Sequence, residues 1–194
     1  VRVVVAEVAH HGLLDRLDPV EDTLILVRNR EFIARIAREL FERRVPFLVE
    51  GLGGINPLGS EETQHAIRAT TLLFCGREIH ADGLRAVLKL IPSRGVGLLP
   101  HGIKERAKEL SGFLSPEQLR TELGLSGLLD AIKRHGPVRV LLKLPRGHHE
   151  YLENMVMRYG EIPEPKLRLT TIHGAKGREA DTVVVIPDMS RATH

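Results

Sequence analysis

The chain has 194 residues, a formal net charge of +3, and apolar and charged fractions of 42% and 27%. That is long enough to bury one large or two small cores, and it excludes an intrinsically disordered composition. A single cysteine, Cys75, excludes an internal disulfide framework and fits a reducing, cytoplasmic setting. No apolar run approaches the roughly 20 residues of a membrane span, and no signal-peptide pattern opens the chain.

The basic balance permits nucleic-acid binding without requiring it. Five phenylalanines, two tyrosines and no tryptophan leave too little for a broad base-stacking platform. The chain opens at Val1 inside an apparent strand (Val1–Val5) and stops at His194 soon after another, so a fragment of a longer protein is expected.

In chain order, Thr23–Val27 is a compact β-branched and leucine run that reads as a buried strand. Arg30–Arg43 places Phe32, Ile33, Ile36, Ala37, Leu40 and Phe41 at helical spacing. Val45–Glu50 reads as a second strand, closed by Gly51-Leu52-Gly53-Gly54. Strand, helix and strand with short connections form a βαβ unit, which predicts a parallel sheet.

From Ser60 the character turns helical. Glu61–Cys75, Leu84–Ile91, Leu128–His135 and His149–Tyr159 all read as helices, and Ser115-Pro116-Glu117-Gln118 is a capping box opening another. Val138–Leu144 is open between strand and helix, because a short apolar run has no deciding period. After Pro163-Glu164-Pro165, strand character returns at Leu167–Thr171 and Thr182–Ile186. The fold class predicted is α/β: a parallel sheet flanked by helices, built from residues 1–59 and 166–194 and interrupted by a mainly helical insertion over 60–165.

The chemistry concentrates in Leu169-Thr170-Thr171-Ile172-His173-Gly174-Ala175-Lys176-Gly177-Arg178-Glu179-Ala180-Asp181. A strand here ends in a small-residue loop holding a histidine, a lysine and an acid, before a second buried strand. Open α/β sheets bind ligands at the carboxyl edge of their strands. Arg28, directly after Thr23–Val27, is expected on the same edge as His173 and Lys176, and two segments delivering cations to one rim suit a phosphate-bearing ligand. Read singly, Arg28 is a solvated strand end, His173 a satisfied core histidine and Glu179 a surface helix residue. Together they are a site.

Thr171-Ile172-His173-Gly174-Ala175-Lys176-Gly177-Arg178-Glu179 resembles motif V of superfamily 1 DNA helicases of the UvrD/Rep type. Leu24-Ile25-Leu26-Val27-Arg28-Asn29, with the helix and strand after it, resembles their motif IV. The resemblance implies a RecA-like second motor domain (2A), with residues 60–165 as a reduced 2B-like insertion. It implies that Arg28 contacts the γ-phosphate of ATP bound between two motor domains. By the same resemblance Thr171, His173 and Lys176 touch the single-stranded DNA backbone, Gly177 allows close backbone approach, and Glu179 accepts from the nucleotide sugar.

The chain departs from the pattern at Arg178-Glu179-Ala180, where a leucine and a phenylalanine are common around the glutamate. The implied partners are single-stranded DNA at a duplex junction and a first, N-terminal motor domain. The implied cofactor is ATP, with Mg²⁺ held by that other domain.

The chain holds no Gly-x-x-x-x-Gly-Lys-Ser/Thr, no Asp-Glu pair for a magnesium-binding motif II, and no motif VI with its Thr-Arg-Ala arginine finger. It is therefore not expected to hydrolyse ATP alone. Pro92-Ser93-Arg94-Gly95-Val96-Gly97 is either a helix–hairpin–helix turn or an ordinary one. No metal site is expected: His148-His149-Glu150 with Glu153 lacks metalloprotease spacing, and His10-His11 has only Glu7 nearby. Two other readings are a non-catalytic DNA-binding or scaffolding module with a helicase-like fold, and a plain α/β interaction domain.

Overall fold

The structure, a computed structural model, describes residues 2–5, 21–50, 56–93, 97–145 and 147–186. In chain order its elements are strand β1 (Arg2–Val5), strand β2 (Thr23–Val27), helix α1 (Arg30–Glu42), strand β3 (Phe47–Val49), helix α2 (Glu61–Phe74) and strand β4 (Ile79–His80). They continue with helices α3 (Ala81–Leu90) and α4 (Ile103–Arg106), strand β5 (Phe113–Leu114), and helices α5 (Pro116–Thr121), α6 (Ser126–His135) and α7 (His148–Tyr159). Strands β6 (Leu167–Thr171) and β7 (Thr182–Ile186) complete the series.

These elements fall into two compact units, residues 1–57 with 163–194, and residues 58–162. The first unit is α/β. Its five strands run in the order β1-β7-β2-β6-β3, and all four pairings are parallel. The βαβ pattern dictates this, since a helix between two strands returns the chain to the same end of the sheet.

Helix α1 begins where Asn29 accepts from the main-chain N–H groups of Glu31 at 3.1 Å and Phe32 at 3.3 Å. It buries Ile33, Ile36, Ala37 and Leu40, spaced three and four residues apart, on one stripe. That stripe packs on the sheet face made by Ile25, Val27, Phe47, Val49, Leu167, Leu169, Val184 and Ile186.

The helix stops in a Schellman turn: the N–H of Arg44 donates to Phe41 O and that of Val45 to Leu40 O, each at 3.0 Å. Arg44 takes the left-handed conformation, φ 57°, that glycine usually fills. Pro46 follows, and the next strand begins only at Phe47, shorter than the Val45–Glu50 run.

The second unit is mainly helical, with one two-stranded antiparallel pair, β4 and β5. Helices α2 and α3 approach closely because Gly83 faces Ala69, where an added Cβ would lie 3.0 Å from the Ala69 methyl. Helix α3 starts at Ala81, ahead of the apolar run, because the His80 side chain accepts from Asp82 N and caps it. At α5 the capping box is complete: Ser115 Oγ accepts from Gln118 N, and Gln118 Oε1 accepts from Ser115 N.

Val138–Leu144 forms neither strand nor helix but successive turns, with Leu141 N bonded to Val138 O and Leu144 N to Leu141 O, each at 3.1 Å. Its apolar side chains Val138, Val140, Leu141 and Leu144 are buried there without a period. Among the described residues no helix is long and apolar enough to cross a membrane.

Candidate functional site

Strands β2 and β6 are direct neighbours, in a register that pairs Val27 with Thr171 at their carboxyl ends. One more sheet bond, Ile172 N to Val27 O at 2.9 Å, ties the start of the loop to the last residue of β2. Arg28 therefore leaves β2 where His173 leaves β6. Both are exposed, as is Lys176, and among the described residues no carboxylate pairs with any of the three. The rim also receives the N-terminus of α1, whose aligned peptide dipoles favour an anion.

The loop after β6 is a short helical coil. Thr171 O accepts from Ala175 N at 3.1 Å, Ala175 O accepts from Arg178 N at 2.9 Å, and Thr171 Oγ1 accepts from Gly174 N at 3.1 Å. The Thr171 hydroxyl thus caps the turn as an acceptor, and its own proton is left to donate outward. His173 is fully outside the core, unlike a core histidine, and Glu179 is exposed and lies in no helix.

Gly177 has φ 78° and nothing within 4 Å of where a Cβ would stand, so glycine serves its left-handed backbone. Within the loop the crowded glycine is Gly174, where a Cβ would meet Thr170 Oγ1 at 2.7 Å and Thr171 Oγ1 at 3.2 Å.

Three charged residues that no local pattern marks, Asp22, Glu50 and Arg168, lie beside this loop. Arg168, the second residue of β6, lies on the face away from α1. Its Nη2 reaches Asp22 Oδ1 at 2.9 Å, Asp22 Oδ2 at 3.1 Å and the main-chain O of Glu179 at 2.6 Å. Glu50, just past β3, receives Arg178 Nη1 at 3.4 Å and Arg168 Nη1 at 3.9 Å on its Oε1. Only an arginine between two buried leucines, Leu167 and Leu169, gives any sequence signal of this network.

Among the described residues no group of histidine, cysteine and carboxylate side chains is arranged to hold a metal. His149 of the His148-His149 pair instead bonds Leu141 O through Nε2 at 3.2 Å. His10-His11 and Glu7, the glycines at 51, 53 and 54, and the Arg94-Gly95-Val96 centre of the 92–97 turn lie outside the described residues. No family model, curated protein or solved structure matches the chain.

Proposed function

We propose that the α/β unit is the second RecA-like motor domain of an ATP-dependent DNA helicase of the UvrD/Rep type, with residues 60–165 as a reduced 2B-like insertion. One observation supports this above the rest: adjacent parallel strands bring Arg28 and the Thr171–Glu179 loop to one carboxyl rim, from segments far apart in the chain. A cation at one strand end and a histidine–lysine loop at the next can address two phosphate-bearing ligands at once, a nucleotide and a nucleic-acid backbone.

On this reading Arg28 senses the γ-phosphate of ATP held between this domain and a first motor domain, which also holds the Mg²⁺. An exposed guanidinium with no carboxylate partner among the described residues fits that task. The Thr171 hydroxyl, His173 and Lys176 donate to the phosphates of one DNA strand, and the Glu179 carboxylate accepts from the nucleotide sugar. ATP supplies the phosphoryl group whose binding and loss close and open the cleft. The polarity by family analogy is 3′→5′.

The test is DNA-stimulated ATP hydrolysis by the intact reading frame, wild type beside Arg28→Ala. Loss of an arginine at a phosphoryl-transfer transition state is expected to slow turnover by roughly 10³–10⁵. Full turnover in the variant would remove Arg28 from the mechanism. Single-stranded DNA binding without any turnover in the wild type would favour a non-catalytic scaffold.

A further inference from the structure

Arg178 occupies a place where a packing residue is common in the helicases this loop resembles, and the chain answers that change across the sheet. The Glu50 side chain is only 10% exposed, and its Oε2 is buried with no hydrogen-bond partner. A carboxylate so placed is costly unless cations face it, and here two arginines do. Its main chain is fixed as well: Glu50 N donates to Leu169 O at 2.9 Å, and Glu50 O accepts from Thr170 Oγ1 at 3.3 Å. Glu50 is therefore a rigid anchor, whereas Arg178 is half-exposed and belongs to the loop. The next residue, Glu179, is held through its carbonyl by Arg168, the other arginine beside Glu50.

We propose that Glu50 is a positioning residue, whose buried carboxylate tethers Arg178 to the end of β3 and so fixes how the His173–Lys176 coil is presented at the rim. An ordinary exposed ion pair would do little of this, because solvent and side-chain entropy cancel most of its gain. Here one partner is nearly buried, so solvent screens the pair less, and releasing Arg178 leaves the Glu50 carboxylate facing Arg168 alone at 3.9 Å. The tether stands on the geometry alone; its consequence for nucleic acid rests on the motor-domain reading above.

Removing a carboxylate near a phosphate site should tighten binding if the carboxylate merely repels. It should weaken binding if it positions. The experiment compares wild type, Glu50→Gln, Arg178→Met, Arg178→Lys and Lys176→Ala in the full 194-residue chain. Amide hydrogen exchange by NMR reads the tether without any ligand. The Ala175 and Arg178 amides, which close the coil, should exchange about tenfold faster in Glu50→Gln, while the sheet-bonded Ile172 amide stays unchanged. Affinity for labelled oligodeoxythymidylate should fall about tenfold, with the slope of log K against log salt unaltered. Lys176→Ala, which loses a phosphate contact, should reduce that slope by about one. Arg178→Lys, which keeps the charge, should recover part of what Arg178→Met loses.

Unchanged coil exchange in Glu50→Gln overturns the proposal, and so does tighter DNA binding. A salt slope reduced by about one in Arg178→Met also overturns it, since Arg178 would then touch phosphate itself. If Glu50→Gln does not fold, Arg178→Met, changed at an exposed side chain, carries the same exchange test. If the wild type binds no DNA, the motor-domain reading fails and the tether is judged on exchange alone.

Discussion

Arg168→Met is the perturbation that tests the α/β unit most directly. The Arg168 guanidinium is 19% exposed and serves three acceptors through one nitrogen, as well as facing Glu50. Its bond to the Glu179 carbonyl is charge-assisted and worth about 1.5 kcal/mol. The pair with Asp22, itself 37% exposed, adds about 0.5 kcal/mol after solvent screening. Glu50 keeps Arg178, so losing its second cation costs about 1 kcal/mol rather than the full penalty of an isolated buried charge.

Methionine fills most of the volume, and the unit is expected to lose about 3 kcal/mol, a large share of the usual 5–15 kcal/mol. With about 1.5 kcal/mol per molar urea, the midpoint should fall by about 2 M. Both tyrosines, Tyr151 and Tyr159, lie in the helical unit, and there is no tryptophan. Far-UV circular dichroism therefore reports both units and tyrosine emission only the second. A dichroism transition that stays where the wild type has it would refute the accounting.

Two further outcomes follow from the same structure. Gly174→Ala should cost about 2 kcal/mol, because its Cβ is driven against the Thr170 hydroxyl at 2.7 Å, and Thr170→Ala in the same chain should recover most of it. Equal urea midpoints for the single and double variants would remove the steric explanation. In the helical unit, burial first and then the neighbouring His149 hold the His148 imidazole below its ordinary value of 6.5. The unfolded chain then takes up the proton first as pH falls. This contribution is whole above about 6.5 and drains away as pH drops toward the lower folded value. Tyrosine-monitored urea midpoints should fall from about pH 7.5 to about pH 5.5 in wild type, and by less in His148→Gln. Parallel shifts in both proteins would refute it.

What was legible in the chain was local. Thr23–Val27, Leu167–Thr171 and Thr182–Ile186 are rich in β-branched residues and leucine, and the structure begins and ends the strands at those residues. The α1 stripe and the α5 capping box are written within a few residues of each other, where periodicity and caps act. Boundaries slipped where a side chain outside the apolar run did the work, as His80 does at the start of α3. Val138–Leu144 misled because burial alone makes a run apolar, whatever its backbone does.

The ion-pair network was not legible for a different reason. Asp22 and Arg168 are 146 residues apart in sequence, and only the finished register makes them neighbours.

That register explains how a packed core fixes a rim. In the pairing of Thr23–Val27 with Leu167–Thr171, Ile25, Val27, Leu167 and Leu169 all face α1, while Arg168 and Thr170 face away. A slip of one residue in β6 would reverse both sets and drive the Arg168 guanidinium into the apolar layer under α1. It would also take Asp22's partner and one of the two arginines beside Glu50, about 1.5 kcal/mol on top of the lost packing. The apolar face and the charged face therefore reject the same error independently. Because Arg28 and the His173–Lys176 coil leave adjacent strands at their last paired residues, Val27 and Thr171, the forces that reject the slip also hold Arg28, His173 and Lys176 on one edge. A charge within the strand, which costs the sheet some packing, thus serves to fix the register on which the site depends.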